Sequence, residues 1–172
     1  MIKNEHIQPG DAIYARTHNI YGFMIRIAQA LRWWKGHDWN HVAIVDHIDA
    51  DGQIWVNQMA KRCEQVKIEE VAPGGKLKWV PMPEGLDRER VLAWSRKRLG
   101  IKYGYLTIAS IAFNLLLPER VSIDIHIENT LICSAYVARA WEHGGFDCPV
   151  NPMNITPAEL DLLQNGAGTI LN

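Results

Sequence analysis

The sequence predicts an α+β fold in which an antiparallel sheet packs against a helix that begins at Cys133. Three observations carry that expectation. The first half holds short apolar runs separated by turn residues, the pattern of strands. The second half carries apolar residues at helical spacing. The 172 residues, 48% hydrophobic and 22% charged, fit one domain, 1–172, with a sizeable buried core.

The elements follow in order. Pro9-Gly10 is a turn, and Asp11 to Arg16 reads as a short strand. Ile20, Phe23, Met24, Ile27 and Leu31 then recur at helical spacing, with Thr17 placed as an N-cap and Gly36-His37-Asp38 as the stop. His41 to Ile48 is a strand with two largely apolar faces, so it is expected to be central. Asp51-Gly52 is a hairpin signal, and Gln53 to Gln58 returns as the next strand. Glu64 to Val71 and Lys76 to Met82 read as further strands around a Pro-Gly-Gly turn.

Pro81-Met82-Pro83-Glu84-Gly85 is a loop between the two halves of one domain. Asp87 can cap a helix running to about Leu99. Tyr103 to Leu117 is the most apolar segment. It is too short to span a membrane and stops at Pro118, so a buried helix is expected. Cys133 opens a helix with Tyr136, Val137, Ala140 and Trp141 on one stripe and Gly144-Gly145 as its stop. Thr156-Pro157-Ala158-Glu159 has the form of a capping box with proline at the first helical position.

Composition excludes several functions. A net charge of -1 gives no reason to expect nucleic acid or an acidic membrane as partner. Three cysteines, Cys63, Cys133 and Cys148, are not a disulfide framework and fit a reducing compartment. The N-terminus lacks the apolar stretch of a signal peptide, and no transmembrane segment is expected. The expected location is the cytoplasm, or delivery by a particle or by lysis. His37 and His41 flank Asp38 at a spacing that suits a metal site on a helix. Here that spacing spans a loop and a strand start, and there is no CxxC pair, so neither a metal nor another cofactor is expected.

Three residues could carry chemistry together. Cys133 stands at a helix start, where backbone N–H groups and the helix dipole favour a thiolate and can hold an oxyanion. His41 opens a rigid strand, a good seat for a general base, and His47 follows on the same face. Gln58 ends the neighbouring strand and could orient the imidazole. Read alone, each is an ordinary structural residue. Their order and setting make them a set.

That order resembles a known group. A glycine-aspartate strand (Gly10-Asp11-Ala12-Ile13) comes first, then Asn40-His41-Val42-Ala43-Ile44-Val45, and finally a helix opening Cys133-Ser134-Ala135-Tyr136-Val137. It is similar to the circularly permuted papain-like superfamily, which includes the YiiX-like amidases and is related to NlpC-type cell-wall peptidases and lecithin retinol acyltransferase. Histidine precedes cysteine, as in the permuted group. Tyr103-Gly104-Tyr105-Leu106 resembles the tyrosine segment ahead of the cysteine helix, and Ile155 to Leu160 its closing helix. The stretch Leu117 to Asn129 has no assigned counterpart. The family often carries an acidic residue where Gln58 falls and a serine where Asn40 falls.

The resemblance implies a cysteine hydrolase. Cys133 would be nucleophile, His41 base and Gln58 third member, with Tyr103 contacting the oxyanion or substrate. The implied substrate is a peptide amide, bacterial peptidoglycan above all. One alternative is a lipid or other acyl ester, with the Tyr103–Leu117 helix and Trp33, Trp34 and Trp39 lining an acyl groove. Another is a non-catalytic binding or particle-structural module. Oligomeric state is not readable from the sequence.

Overall fold

The computed structural model describes residues 6–18, 25–26, 38–104, 130–164 and 169–171. Its described chain runs β1 (Ala12–Arg16), β2 (His41–Ile48), β3 (Ile54–Met59), β4 (Cys63–Lys67), α1 (Ile68–Val71), β5 (Lys76–Val80) and α2 (Arg88–Arg96). β6 (Lys102–Tyr103), β7 (Thr130–Leu131), α3 (Cys133–His143), α4 (Pro157–Leu163) and β8 (Thr169–Leu171) complete it. The fold class is the expected mixture of helices and an antiparallel sheet.

The main sheet has six strands in the order β4-β3-β2-β1-β5-β8, and every neighbouring pair in it is antiparallel. β2 lies inside this order, and Val42 to Asp46 are all buried. That is why its sequence is apolar on both faces. The β2–β3 hairpin turns where expected. Gly52 takes φ 79°, and the Asp49 carboxylate accepts from the N–H groups of Asp51 (3.0 Å) and Gln53 (2.9 Å).

The sheet buries both faces. On one, Ala12, Tyr14, Val42, Ile44 and Val80 pack against Tyr136, Val137 and Trp141 of α3. On the other, Ile13, Ala15, Ala43, Val45, Ile54 and Val56 pack against Ile68 and Val71 of α1. Strand alternation sorts these residues: cross-strand partners such as Tyr14 and Val42 share one face, and their neighbours Ile13 and Ala43 the other.

Two elements differ from expectation. Tyr103, expected to open a buried helix, lies instead in the short strand β6, held by parallel pairing with β7. The strand anticipated over Glu64 to Val71 stops at Lys67, and Ile68–Val71 forms a single helical turn. Ile68 and Val71 are three apart, so a helical turn brings both to the core side while Glu69 and Glu70 stay exposed. A continued strand would have put them on opposite faces.

The caps behave as read. Asp87 accepts from the N–H of Arg90 at 3.1 Å and starts α2. α3 ends at Gly144, and Gly145 takes φ 107°, a left-handed turn that suits glycine. Thr156 and Glu159 form a full capping box around Pro157. The helix expected between Ile20 and Leu31 lies outside the described residues except 25 and 26, which are helical. Trp33, Trp34, His37 and the segment from Tyr105 to Leu117 also lie outside them. Among the described residues, no helix is long and apolar enough to cross a membrane.

Candidate active site

Cys133 is the first residue of α3 and is buried. Ile132 before it is extended, and it has no side-chain oxygen with which to cap the helix. The helix start is fixed from several sides. Ser134 donates to the carbonyl of Ile155 at 2.5 Å. The Tyr136 hydroxyl lies 2.5 Å from Ser95 Oγ on α2. The Trp141 indole N–H donates to the carbonyl of Gly10 at 3.1 Å. The Cys133 sulfur accepts backbone N–H groups from Ser134, on its own helix, and from Val42, on β2.

His41 opens β2 and is half-buried. Asn40 before it is clamped. Its Oδ1 accepts from Thr17 N (2.9 Å) and Thr17 Oγ1 (3.1 Å), and its Nδ2 donates to Thr17 O (3.1 Å). Asparagine therefore does a tethering job here that serine, with one short hydroxyl, could not match. His41 Nε2 lies 2.9 Å from Gln58 Oε1. An amide oxygen only accepts, so Nε2 carries the proton. That leaves Nδ1 for the side-chain hydrogen bond between His41 and Cys133.

Electrostatics follow from this contact. Burial by itself would raise the Cys133 thiol. The charge of His41, its hydrogen bond and the two backbone N–H groups outweigh that and hold the thiol below its ordinary value. Burial would likewise lower His41. The hydrogen bond and charge of Cys133 lift it above the ordinary imidazole value, with smaller contributions from Gln58 and Glu64. Each group moves toward its charged form, the condition for a thiolate–imidazolium pair.

Cys133, His41 and Gln58 are thus brought together. Tyr103 lies in β6, paired in parallel with Leu131 just ahead of the cysteine and partly buried against the α3 core. His47 is not part of the group. A bulge between Val45 and His47 shifts the strand register, and the ring stacks on Trp55 and lies 2.8 Å from Asp46. Trp39 is buried in the core on the α3 side of the sheet. The three cysteines are free thiols, and burial pushes Cys63 up to about 11.

Two residues near the site escaped the sequence reading. Tyr14 is fully buried on β1 opposite Val42. Its hydroxyl is raised well above the ordinary value by burial, then by the charges of Asp161 and Cys133. It donates to Gln164 Oε1 at 3.0 Å, next to a buried ion pair of Lys78 and Asp161 at 2.7 Å. Glu64 is the second. Gln58 Nε2 donates to Glu64 Oε1 at 3.2 Å, and the two residues face each other across β3 and β4. A sequence signal existed for Tyr14, which alternates with Ile13 in β1. None existed for Glu64.

No protein-family model matches the chain, and no curated protein matches it in sequence. Among solved structures, it is similar to the crystal structure of metalloprotein YiiX from Escherichia coli O157:H7. The identity is 14% and the TM-score 0.56, over 81% of this chain and 67% of that one. At that identity the likeness shows a YiiX-like fold alone. Among the described residues, no three His, Cys, Asp or Glu side chains are grouped so as to hold a metal ion. The described residues therefore offer no donor set that fits a metal.

Proposed function

We propose that the chain is a cysteine hydrolase on a single permuted papain-like domain, cleaving an amide bond through a thioester. The observation that carries this reading is the Cys133–His41 pair at the start of α3, with the thiol held low and the imidazole held high. The Cys133 proton resides on His41 Nδ1, and the thiolate attacks the carbonyl carbon. Backbone N–H groups at the helix start stabilise the oxyanion. As the C–N bond breaks, His41 returns its proton to the leaving amine. Water then attacks the thioester, giving a proton to His41, and the C–S bond breaks to release the acid. Gln58 keeps Nε2 protonated and the ring in place.

A peptide amide of the bacterial cell wall is the substrate class that the resemblance in sequence order supports. Acyl esters are the competing class, although most of the apolar segment that would favour them, with Trp33 and Trp34, lies outside the described residues. The test is hydrolysis of defined murein peptides and of acyl esters by wild type and by Cys133→Ala. Peptide cleavage that Cys133→Ala abolishes supports the reading; equal activity in both overturns it. Iodoacetamide should also alkylate Cys133 well below pH 8, ahead of Cys63 and Cys148, both of which are raised chiefly by burial. Labelling of Cys133 only in denaturant would leave a binding module with a decayed site.

A further inference from the structure

The Cys133–His41–Gln58 set has a chemical gap. An amide can accept a hydrogen bond from an imidazole, but it carries no charge to balance an imidazolium. The gap is closed one strand further out. Register places Ala43 opposite Gln58 and Gln58 opposite Glu64, so Gln58 and Glu64 stand side by side on one sheet face. The hydrogen bonds run in one direction along this row. Gln58 Nε2 donates to Glu64 Oε1 at 3.2 Å, and Gln58 Oε1 accepts from His41 Nε2 at 2.9 Å. The Gln58 side chain is buried, so the amide is oriented by its two partners and not by solvent. Drawing density from the amide N–H towards a carboxylate makes the amide oxygen a better acceptor.

We infer that Glu64 is a charged positioning residue of this site: acting through the Gln58 amide, its carboxylate orients His41 and supports its imidazolium. The inference rests on the cysteine-hydrolase reading for its consequence in catalysis, but not for the relay itself. Glu64 touches neither the thiol nor a substrate carbonyl, and no proton passes along the row. Gln58 keeps both amide protons, and His41 keeps the proton on Nε2 throughout.

Among the described residues, three groups act on His41. Cys133 faces it from α3, Gln58 from β3 and Glu64 from β4. Beside Glu64 on its own strand are Cys63, a buried thiol pushed to about 11 and so uncharged near neutrality, and Gln65. β4 continues into Arg62, which bridges to Lys102. The carboxylate is half-buried, so its effect on His41 is moderated by solvent but not abolished.

The test compares wild type, E64Q, E64A, Q58E and the double variant Q58E/E64Q. The primary readout needs no substrate: the titration of the His41 ring by nuclear magnetic resonance, with the Cys133 alkylation rate against pH. E64Q keeps the shape and removes the charge. It should lower the imidazolium's proton affinity about three- to tenfold and move the alkaline limb of kcat/KM to lower pH by the same factor. Q58E/E64Q restores a carboxylate in direct contact with Nε2 and should recover the titration. A packing role for Glu64 predicts the opposite pattern, with E64Q silent and E64A merely less stable in urea. An E64Q titration that overlays wild type in a folded protein overturns the inference. The arms fail separately: loss of all hydrolysis with an intact E64Q shift would count against the hydrolase reading and leave the relay standing.

Discussion

At the residue scale, the proposed function turns on two opposed shifts. Cys133 falls and His41 rises, so both shifts move the pair towards its thiolate–imidazolium form. Hydrolysis should therefore give a bell-shaped profile. Its acid limb, where the thiolate gains a proton, should lie below the ordinary thiol value. Its alkaline limb, where the imidazolium loses one, should lie above the ordinary imidazole value. Gln58→Ala removes the acceptor of His41 Nε2 and frees the ring to turn. A loss of about 10- to 100-fold in kcat/KM is expected, with little change in KM, measured on the best peptide substrate. An unchanged rate would remove Gln58 from the site. At this scale the sequence was informative where a residue type implies its own neighbours. Cys133 was readable because apolar spacing and Gly144-Gly145 fix both ends of its helix. Glu64 was not readable, because nothing local states which residue of β4 faces Gln58. That depends on the path of Ala60 to Arg62 between the strands.

At the scale of elements, α3 is held to α2 and the sheet, and α4 is held in place by its own cap. The capping box of Thr156 satisfies N–H groups that would otherwise be unpaired at the start of α4. Thr156→Ala should cost about 1 kcal/mol, read as a lower midpoint in urea. It should also loosen Ser134, whose hydroxyl donates to the carbonyl of Ile155 beside the cap. The starts of α2 and α4 and the end of α3 were legible because caps are local chemistry: Asp87, Thr156 and Gly145 each act within their own turn. The β4–α1 junction was not. Ile68 and Val71 are strand formers by type, and only the core above β3 makes a helical turn the better way to bury both.

For the whole molecule, one buried carboxylate ties sheet to helices away from the candidate site. Asp46 accepts from Arg96 Nε (2.8 Å), Asn57 Nδ2 (2.9 Å) and Gln65 Nε2 (3.0 Å), and lies 2.8 Å from His47 Nδ1. Asn57 also donates to Ser95 at 3.0 Å, which joins β2 and β3 to α2 and, through Tyr136, to α3. Burial would raise Asp46, but Arg96, His47 and Asn57 hold it below the ordinary carboxylate value of 3.8. A depressed folded value means that the contribution to stability is complete above the unfolded value. It is lost as pH falls through the folded one. Acid unfolding monitored by circular dichroism should begin below about pH 4 in wild type. Asp46→Asn should lose about 2 kcal/mol near neutrality and show a weaker acid dependence.

The antiparallel sheet against the cysteine helix was legible at this scale, since alternation and periodicity both survive in the sequence. The network around Asp46 was not, because it assembles residues from five separate elements.

The distance along the chain between His41 and Cys133 has a biosynthetic meaning. On a ribosome the proposed base, His41, emerges long before the proposed nucleophile, and Val42 must already be in its strand to offer Cys133 an N–H. Until the sheet and α3 meet, the thiol is an ordinary cysteine, mostly protonated at neutral pH and slow to attack. Under the proposed function, the chain is unreactive during its own synthesis and acquires its chemistry at the moment of final packing. Newly made or partly unfolded copies would then be chemically silent towards neighbouring acyl groups, and loss of the native state would disarm the molecule without any inhibitor.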